Sequence, residues 1–344
     1  MLQTTLPATV RCPYCGWAGA AAAEACSHCG GNLPAFDSTL HSYERTAGKD
    51  WPRPPTGIRQ GGTLGGRYRL GPMLGCGGAA MVFEALDMTT RRGVAAKVLL
   101  AKYTRVDEAV RRFRREADVQ AKLHHPSILA VLDFVTEGDN LAIVSELARG
   151  PSLAQRIDSE GALPVDGAVR LFLEVVGALD TAHALDVVHR DLKPSNILFD
   201  RFGPSGCAKV ADFGLAKVLS STEKLTHTGT QMGTPWYMAP EQCRSARRAD
   251  ARTDIYSLGV TMFHALTGRV PFDGKQPWEV ADAHQRTPPP DPSRIRPGIP
   301  PLLSAIVLQC LAKDPSDRFQ SASAVRQALH ALSRTCPPTP RWNR

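Results

Sequence analysis

Short apolar runs separated by turn residues mark the chain from residue 68 onwards. They occupy residues 68–74, 80–86, 94–100, 129–135 and 141–147. Runs of this length, bounded by turn residues, are typical of β-strands. An arginine-rich stretch at about 107–123 interrupts them and predicts one helix. This part of the chain therefore predicts a small, β-rich unit.

After Gly150 the apolar positions follow a helical period. They recur at spacings of three and four over Val169, Phe172, Leu173, Val176, Leu179 and His183, and again over Leu302, Leu303, Ile306, Val307, Cys310 and Leu311. Such spacing buries one face of each helix. The pattern predicts an α+β, bilobal fold, with a β-rich lobe at about 64–147 and a larger helical lobe at about 151–333. The cleft between two such lobes is the natural place for a ligand.

The remaining segments lie outside this bilobal domain, which we place at 64–333. Residues 1–33 form one short unit of their own. Residues 34–63 are rich in Pro, Gly and Thr and have no period, which predicts a flexible linker partly extended by its prolines. Residues 334–344 are expected to form a tail.

The composition is that of a soluble globular protein, with 43% hydrophobic and 22% charged residues among 344. A net charge of +8 raises nucleic acid and membrane surfaces as partners, but the densest basic run, 111–115, fits the solvated face of the predicted helix. No apolar run approaches the roughly 18 residues of a membrane helix, and the first residues do not resemble a secretory signal. We therefore expect a cytoplasmic protein that binds neither nucleic acid nor membrane.

Five short motifs follow one another across the two predicted lobes. They are Val94-Ala95-Ala96-Lys97-Val98, Glu116 in the predicted helix, His189-Arg190-Asp191 with Asn196, Asp212-Phe213-Gly214, and Ala239-Pro240-Glu241. Each is common by chance, but all five in this order and at these separations are not. Together they resemble the signature set of protein kinases, in particular the eukaryotic-type Ser/Thr kinases found in bacteria. The resemblance covers residues 68–333.

This resemblance implies that the chain binds ATP and transfers its γ-phosphoryl group. Lys97 would hold the α- and β-phosphates and would itself be held by Glu116. Glu108 is the competing partner, but it lies near the start of the predicted helix, where a carboxylate suits the helix dipole. We therefore favour Glu116.

The resemblance also assigns the catalytic loop and its metal ligands. Asp191 would accept or orient the proton of the acceptor hydroxyl, and Lys193 would lie near the transferred phosphate. Asn196 and Asp212 would ligate Mg²⁺ or Mn²⁺. In the same family, Asp254 would brace the catalytic loop. An ion pair of Arg318 with Glu241 would belong to the scaffold.

The predicted nucleotide contacts surround the cleft. They are Leu74, Gly75, Cys76, Gly77, Gly78, Ala80 and Val82 in the glycine-rich loop, and Ala95, Lys97, Glu146, Leu147, Ala148 and Leu198 around them. Ala80 stands where the family has its third glycine, so we expect a stiffer loop and weaker ATP binding without loss of function. Ser145 matches the gatekeeper position. Its small side chain either enlarges a back pocket or is compensated by its neighbours.

The resemblance places an activation segment between Gly214 and Ala239. It contains the predicted phosphosites Thr226, Thr228 and Thr230. Arg190, beside the catalytic aspartate, is the kind of residue that receives an activating phosphate. Lys193 and Thr234 resemble the Ser/Thr-specific branch of the family. We expect protein Ser/Thr hydroxyls as acceptors, and trans-autophosphorylation through a transient homodimer.

Four of the nine cysteines crowd into the first thirty residues. Cys12 and Cys15, then Cys26 and Cys29, form two C-x₂-C pairs separated by ten residues, each followed by glycine. Paired thiolates at this spacing suit tetrahedral Zn²⁺ and predict a structural zinc ribbon, with a redox dithiol or an iron–sulfur site as alternatives. So short a unit has almost no core, so the metal would supply its folding energy. We expect it to bind a protein partner.

Two other functions compete with an active kinase. A pseudokinase scaffold would keep the fold without turnover, and only Ala80 favours it, because Lys97, Asp191, Asn196 and Asp212 are all present. A nucleic-acid-binding ribbon with a passenger kinase domain would need a basic, aromatic surface on residues 1–33, which the sequence lacks.

Overall fold

The computed structural model describes residues 54–201, 206–213, 235–244 and 249–335, together with two short strands near the amino terminus. These strands, β1 (Thr9–Arg11) and β2 (Ala18–Ala20), pair antiparallel with Thr9 opposite Ala20. Two sets of predicted residues lie outside the described residues. They are the zinc ligands Cys12, Cys15, Cys26 and Cys29 and the phosphosites Thr226, Thr228 and Thr230.

A six-stranded antiparallel sheet forms the amino-terminal lobe. Its strands are β3 (Thr63–Leu64), β4 (Tyr68–Cys76), β5 (Ala80–Asp87), β6 (Gly93–Leu99), β7 (Val131–Glu137) and β8 (Asn140–Glu146), in the order β3-β4-β5-β6-β8-β7. The five strands predicted from the apolar runs are confirmed, each end within two residues. The sequence did not predict β3, because two residues are too few to show a period.

The two faces of this sheet have different surroundings. Val82 pairs with Lys97, and Ala95 pairs with Ser145, so these four side chains share the face that turns towards the cleft. The opposite face carries a buried apolar cluster made of Ile58, Leu64, Tyr68, Leu70, Met81, Phe83, Ala85, Val94, Ala96, Val98, Leu100, Val135, Ala142 and Val144. The sheet is therefore buried on this opposite face, whereas Val82, Ala95 and Lys97 on the cleft face stay partly exposed.

The segment 54–63 corrects the predicted boundary between linker and domain. Ile58 is only 4% exposed and belongs to the apolar cluster of the sheet. The Asn140 side chain donates a hydrogen bond to the carbonyl of Thr56 at 2.9 Å. These residues are part of the lobe, and the predicted linker 34–63 extends too far. A single apolar residue among prolines and glycines gives no period, so the composition hid this contact.

Two helices lie between β6 and β7. The first, α1, is Ala101–Thr104, and the second, α2, is Asp107–Gln120. Phe113 and Ala117 of α2 pack in one cluster with Ala80, Leu99, Leu141 and Ile143 of the sheet. This packing fixes the position of Glu116, which lies between them on the helix.

Helices dominate the carboxy-terminal lobe. They are α3 (Leu153–Glu160), α4 (Val165–His183), α5 (Pro240–Arg244), α6 (Ala251–Thr267), α7 (Pro277–Arg286), α8 (Pro292–Ile295), α9 (Pro301–Cys310) and α10 (Ala322–Thr335), with a small hairpin of β9 (Ile197–Phe199) and β10 (Ala208–Val210) facing the cleft. The two long helices predicted from the period are confirmed as α4 and α9. Helix α10 continues to Thr335, so the predicted tail 334–344 begins two residues too early.

Helix α6 is the centre of this lobe, and most of its residues are buried. Asp250 caps its first turn by accepting from the Arg252 amide, and Gly268 ends it with φ 75°. A Cβ on Gly259 would lie 2.6 Å from the Cβ of Cys310, so only glycine lets α9 approach this closely. No helix in the described part of the chain is long and apolar enough to cross a membrane.

Candidate active site

Lys97 joins three separate elements at the cleft. Its Nζ lies 2.6 Å from Oε1 of Glu116 on α2 and 2.7 Å from Oδ1 of Asp212, which follows β10. The competing Glu108 instead pairs with Arg111 and Arg112 on the surface of α2. The structure thus places Glu116 on Lys97, although the two are 19 residues apart in sequence.

Burial and charge compete in this cluster. Burial disfavours the ammonium form of Lys97, but the carboxylates of Asp212 and Glu116 outweigh it and raise the pKa of the lysine. Burial also raises the pKa of Glu116, against the opposing effect of Lys97. For Asp212 the same burial is outweighed by Lys97, and its pKa is lowered. Lys97 therefore stays cationic and Asp212 stays anionic at neutral pH.

The loop after α4 holds together two predicted catalytic side chains and one predicted metal ligand. Nζ of Lys193 donates to Oδ2 of Asp191 at 2.7 Å. The side-chain nitrogen Nδ2 of Asn196 donates to the backbone carbonyl of Asp191 at 2.9 Å and approaches Oδ2 of Asp191 at 3.4 Å. The carboxylate of Asp191 is 18% exposed, so it is accessible from the cleft while its orientation is fixed. An aspartate held in this way can accept a proton from a hydroxyl group.

Asp254 on α6 holds the backbone of this loop from below. Its carboxylate accepts from the amides of His189 and Arg190, both at 2.7 Å, and from Nε2 of His183 at 2.8 Å. Arg190 has φ 65°, a left-handed conformation that a side chain with a Cβ adopts only under constraint. The buried carboxylate supplies that constraint, and it fixes the direction in which Asp191 leaves the chain.

The segment with Asp212 is fastened to the same loop. Nε2 of His189 lies 3.0 Å from the Ala211 carbonyl, which can only accept, so this nitrogen carries the proton. Its Nδ1 is then the acceptor for the Asp191 amide at 3.3 Å. Phe213 is fully buried, with its ring 4.7 Å from the His189 ring. Asp212 itself has φ 59°, which turns its carboxylate towards Lys97.

A second network ties α5 to the catalytic loop. Gln242 accepts from the Ala239 amide and donates to the Arg190 carbonyl at 2.9 Å. One residue earlier, Glu241 makes a two-point ion pair with Arg318, at 2.8 and 2.9 Å. Burial opposes the charge on Glu241, but Arg318 outweighs it and lowers the pKa of the carboxyl. Arg318 and Asp254 therefore act as scaffold, as the sequence predicted.

Comparison with known families agrees with this geometry. A family model described as "Protein kinase domain" matches residues 68–330, which is most of the chain. This chain belongs to the protein kinase family.

Bacterial Ser/Thr kinases are among its relatives. The chain is 40% identical over 262 residues to Serine/threonine-protein kinase PrkC of Bacillus subtilis (strain 168), covering 76% of this chain and 40% of that protein. It is 39% identical over 279 residues to Serine/threonine-protein kinase PknB of Mycobacterium leprae, covering 80% and 44%. The chain thus spans less than half the length of these two relatives.

Solved structures give the same fold. The crystal structure of the kinase domain of Mycobacterium tuberculosis PknI matches with a TM-score of 0.62 at 30% sequence identity. The match covers 80% of this chain and 99% of that domain. The bilobal fold predicted from the strands and helices is therefore confirmed as the protein kinase fold.

The glycine-rich loop of this kinase turns between β4 and β5. The Gly77 amide donates to the Ala80 carbonyl at 2.8 Å, and Gly78 has open space where a Cβ would be. Ala80 does not adopt a positive φ, and its methyl group is buried against Leu99 and Phe113. Glycine is therefore not required at this position. The thiol of Cys76 contacts its own loop at the Gly77 carbonyl.

The hinge of the kinase offers backbone groups to a base. The Glu146 carboxylate accepts hydrogen bonds from Nζ of Lys209 at 2.8 Å and from the Ala130 amide at 2.9 Å, so this side chain is already bonded within the protein. Among the described residues, the backbone groups of Leu147 and Ala148 make no hydrogen bond to protein, whereas the next amide, that of Arg149, donates to Asp200. Two hinge residues are therefore available to an adenine edge.

The remaining predicted adenine contacts lie on both sides of this hinge. Val82 and Ala95 share the cleft face of the sheet, and Leu198 lies on β9 below it; all three are partly exposed. Leu74, at the end of β4, is also partly exposed. Ser145 is 8% exposed between Ala95 and Val131, and the two alternatives for its back pocket stay predictions.

The donor set around Asp212 suits a hard cation. Lys97 occupies Oδ1 of Asp212, and the amide nitrogen of Asn196 faces Asp191, so one oxygen of each side chain is left for a ligand. The described residues contain no group of three or more His, Cys, Asp or Glu suited to a metal ion. Two protein oxygens match the usual Mg²⁺ site of phosphoryl-transfer enzymes, where phosphates and waters complete the shell.

Sequence reasoning missed residues that support the site through contacts distant in sequence. His183 and Gln242 both hold the catalytic loop, and Lys209 connects the strand before Asp212 to the hinge. His183 was predicted only as one position of a buried helix face. No local pattern marks these residues, because their partners lie between about 50 and 70 positions away.

Proposed function

We propose that this chain is a serine/threonine protein kinase that transfers the γ-phosphoryl group of ATP to Ser and Thr hydroxyls of proteins. The single observation that carries the proposal is the position of Lys97, held at 2.6 Å by Glu116 and at 2.7 Å by Asp212. Phosphoryl transfer depends mainly on positioning and on charges preset around the phosphates. A lysine shared by both lobes provides these before ATP arrives.

Each side chain then has one task. Lys97 binds the α- and β-phosphates. The oxygen of the acceptor hydroxyl bonds to the γ-phosphorus while the bond from that phosphorus to ADP breaks, and Asp191 takes the proton of the hydroxyl. Lys193, 2.7 Å from Asp191, offsets the negative charge on the transferred phosphoryl group. Asn196 and Asp212 would hold Mg²⁺ or Mn²⁺, which when bound neutralises phosphate oxygens.

The test is ATP- and Mg²⁺-dependent phosphorylation by the purified full chain. The acceptor is the Asp191→Asn chain, which keeps the same surface but lacks the proton acceptor. The proposal is supported if the parent places phosphate on Ser or Thr of that acceptor. No phosphate should appear when Asp191→Asn also takes the place of the parent as enzyme. Asp282→Asn, in an exposed pair on α7, is the matched control and should act like the parent. ATP binding without any transfer would instead establish a pseudokinase.

A second part of the proposal concerns activation. We infer that the parent phosphorylates Thr226, Thr228 or Thr230 of another copy through a transient homodimer. Support comes from Arg190, whose guanidinium Nε is buried without a hydrogen-bond partner in the described part of the chain. A buried, unpaired cationic nitrogen is satisfied by an added phosphate. Mass-spectrometric mapping of the acceptor chain tests this, and phosphate confined to other sites would contradict it.

We also propose that Cys12, Cys15, Cys26 and Cys29 hold one structural Zn²⁺. The pairing of Thr9–Arg11 with Ala18–Ala20 supports this, since the two strands bracket the first cysteine pair as a knuckle requires. The full chain should carry about one zinc per molecule, and the Cys12→Ser, Cys15→Ser double variant should carry none. Full zinc content in that variant would contradict the ligand set. A protein partner of this ribbon and a cytoplasmic location stay predictions.

A further inference from the structure

Residues 55–62, here called the strap, are bonded to the amino-terminal sheet along their length. The Asn140 side chain donates to the carbonyl of Thr56 at 2.9 Å. Further along, two backbone hydrogen bonds of 2.8 Å join the strap to Leu70 of β4. Ile58, in the middle, is 4% exposed and belongs to the apolar cluster of the sheet. The strap is therefore held by both polar and apolar contacts.

Helix α1 lies beside the strap and has few contacts of its own. A groove of about 620 Å³ is lined by Pro55 and Thr56 of the strap, by α1 and by the turn between β7 and β8. None of the four residues of α1 is fully buried. So short a helix is not stable by itself, and the groove leaves space beside it. Its position must therefore depend on the side chains that attach it to the lobe.

Tyr103 is the residue of α1 that makes this attachment. It is partly buried and packs against the cluster that contains Ile58, and also against the cluster that contains Phe113 and Ala117 of α2. Its backbone carbonyl accepts from the Val106 amide at 3.1 Å, and Val106 directly precedes α2 without capping it by a side-chain hydrogen bond. The first turn of α2 is therefore held through Tyr103.

Helix α2 is fixed at its other end by Gln120, a buried residue whose side chain donates to the Leu129 carbonyl at 2.8 Å. At 1.5 Å per residue, Glu116 lies about 6 Å from Gln120 along the helix axis, whereas Asp107 lies about 20 Å away. A rotation about the Gln120 end that moves the first turn by about 3 Å moves Glu116 by about 1 Å. Such a shift is enough to break its 2.6 Å contact with Lys97.

We propose that Ile58 and Tyr103 are positioning residues for phosphoryl transfer, which hold the first turn of α2 so that Glu116 keeps Lys97 in place. The inference rests on the proposed kinase function and adds to it a route from the strap to the phosphate-binding lysine. The cluster with Ile58 lies on the face of the sheet opposite the cleft. Both residues therefore act through α2 and not on the nucleotide itself.

The experiment is a double-mutant cycle on the purified full chain. It measures kcat/KM for ATP, with the Asp191→Asn chain as acceptor. Tyr103→Ala should lower kcat/KM about tenfold and Glu116→Ala about 100-fold, because a misplaced phosphate-binding group is costly. Combined with Glu116→Ala, Tyr103→Ala should cost less than a further twofold or so, since the contact that it maintains is already lost. A residue that only stabilises the fold would give two losses that multiply.

Further variants separate the ring of Tyr103 from its hydroxyl group and test the strap. Tyr103→Phe keeps the ring that packs on both clusters and should stay within about twofold of the parent. Ile58→Ala should lower kcat/KM by about three- to tenfold, and by less than about twofold in the Glu116→Ala chain. Leu132→Ala is the matched control, because this apolar residue of the same lobe is 55% exposed, and it should act like the parent.

Thermal unfolding of each variant defines a temperature at which the chains are folded, and Tyr103→Leu takes the place of Tyr103→Ala if that variant does not fold. Losses that multiply in the cycle, or a folded Tyr103→Ala chain with the kcat/KM of the parent, would overturn the inference. A parent that binds Mg²⁺-ATP in calorimetry but labels no acceptor would overturn the kinase proposal instead. The same cycle, read as the dissociation constant for Mg²⁺-ATP, would then decide the inference, with the same pattern expected.

Discussion

Replacing Asp254 by asparagine tests the support of the catalytic loop. The carboxylate is fully buried and accepts three hydrogen bonds, from His183 Nε2 and from the amides of His189 and Arg190. Asparagine has the same shape but only one acceptor oxygen. In its better orientation the amide oxygen keeps His183 and His189, and the amide NH₂ then faces the N–H of Arg190.

The cost follows from these contacts. One hydrogen bond to a charged group is lost, worth about 1.5–3 kcal/mol, and one buried N–H is left unsatisfied, which costs about 1–3 kcal/mol. We expect the free energy of unfolding to fall by about 3–5 kcal/mol. Arg190 then loses the bond that holds its left-handed backbone, so Asp191 shifts, and kcat should fall by about 100-fold or more.

Urea and thermal unfolding measure the first effect, and phosphate transfer to an acceptor chain measures the second. The matched control is again Asp282→Asn, since its carboxylate is 53% exposed in a pair with Arg286 and should contribute less than about 0.5 kcal/mol. The reasoning would be refuted if Asp254→Asn lowered the free energy of unfolding by less than about 1 kcal/mol and kept its kcat. The three buried hydrogen bonds could not then depend on the charge of the Asp254 carboxylate.

Three further predictions follow from the same structure. Ala80→Gly should cost about 1 kcal/mol in unfolding free energy, by exposing strand backbone and removing a buried methyl, and should change activity less than about threefold. Arg318→Ala should lower the free energy of unfolding by about 3–5 kcal/mol, because it leaves the buried Glu241 carboxylate without its cation. Arg286→Ala, in an exposed pair, should lower it by less than about 0.5 kcal/mol. Burial lowers the pKa of Lys313 from 10.5 to about 8, so between these pH values the unfolded chain binds more protons than the folded one. The free energy of unfolding should therefore rise from pH 8 to pH 10.5. Lys313→Met should remove this rise.

Each of these has a result that would contradict it. An activity gain of orders of magnitude in Ala80→Gly would mean that the loop does need a third glycine. Equal losses in the two arginine variants would remove the distinction between buried and exposed pairs. A parent and a Lys313→Met variant with the same pH dependence of unfolding, measured in urea at several pH values, would show that Lys313 titrates as an exposed lysine.

The sequence could predict those parts of the fold that repeat locally. The strands of the amino-terminal lobe and helices α4 and α9 have a clear apolar pattern, because each buries a regular face. Ile58 and the two residues of β3 have no period, and the composition assigned Ile58 and Thr63 to a linker. Their place in the lobe depends on a core formed by residues further along the chain.

The same limit applies to the candidate site. The motifs named Lys97, Asp191, Asn196 and Asp212, because phosphoryl transfer needs these side chain types in one order along the chain. The choice of Glu116 over Glu108 depended on which face of α2 is buried, and the packing of Phe113 and Ala117 decides this.

What the sequence determined by itself is the family, and it also predicted the reaction class and the side chains for that chemistry, because short motifs and local periods carry this information. Only the tertiary structure decided which residues hold them in place. Asp254 bonds a loop 64 and 65 residues away, and Gln242 bonds the same loop from 52 residues away. Such bonds form between buried polar groups that must be paired once the core excludes water, and that requirement appears only when the chain has folded.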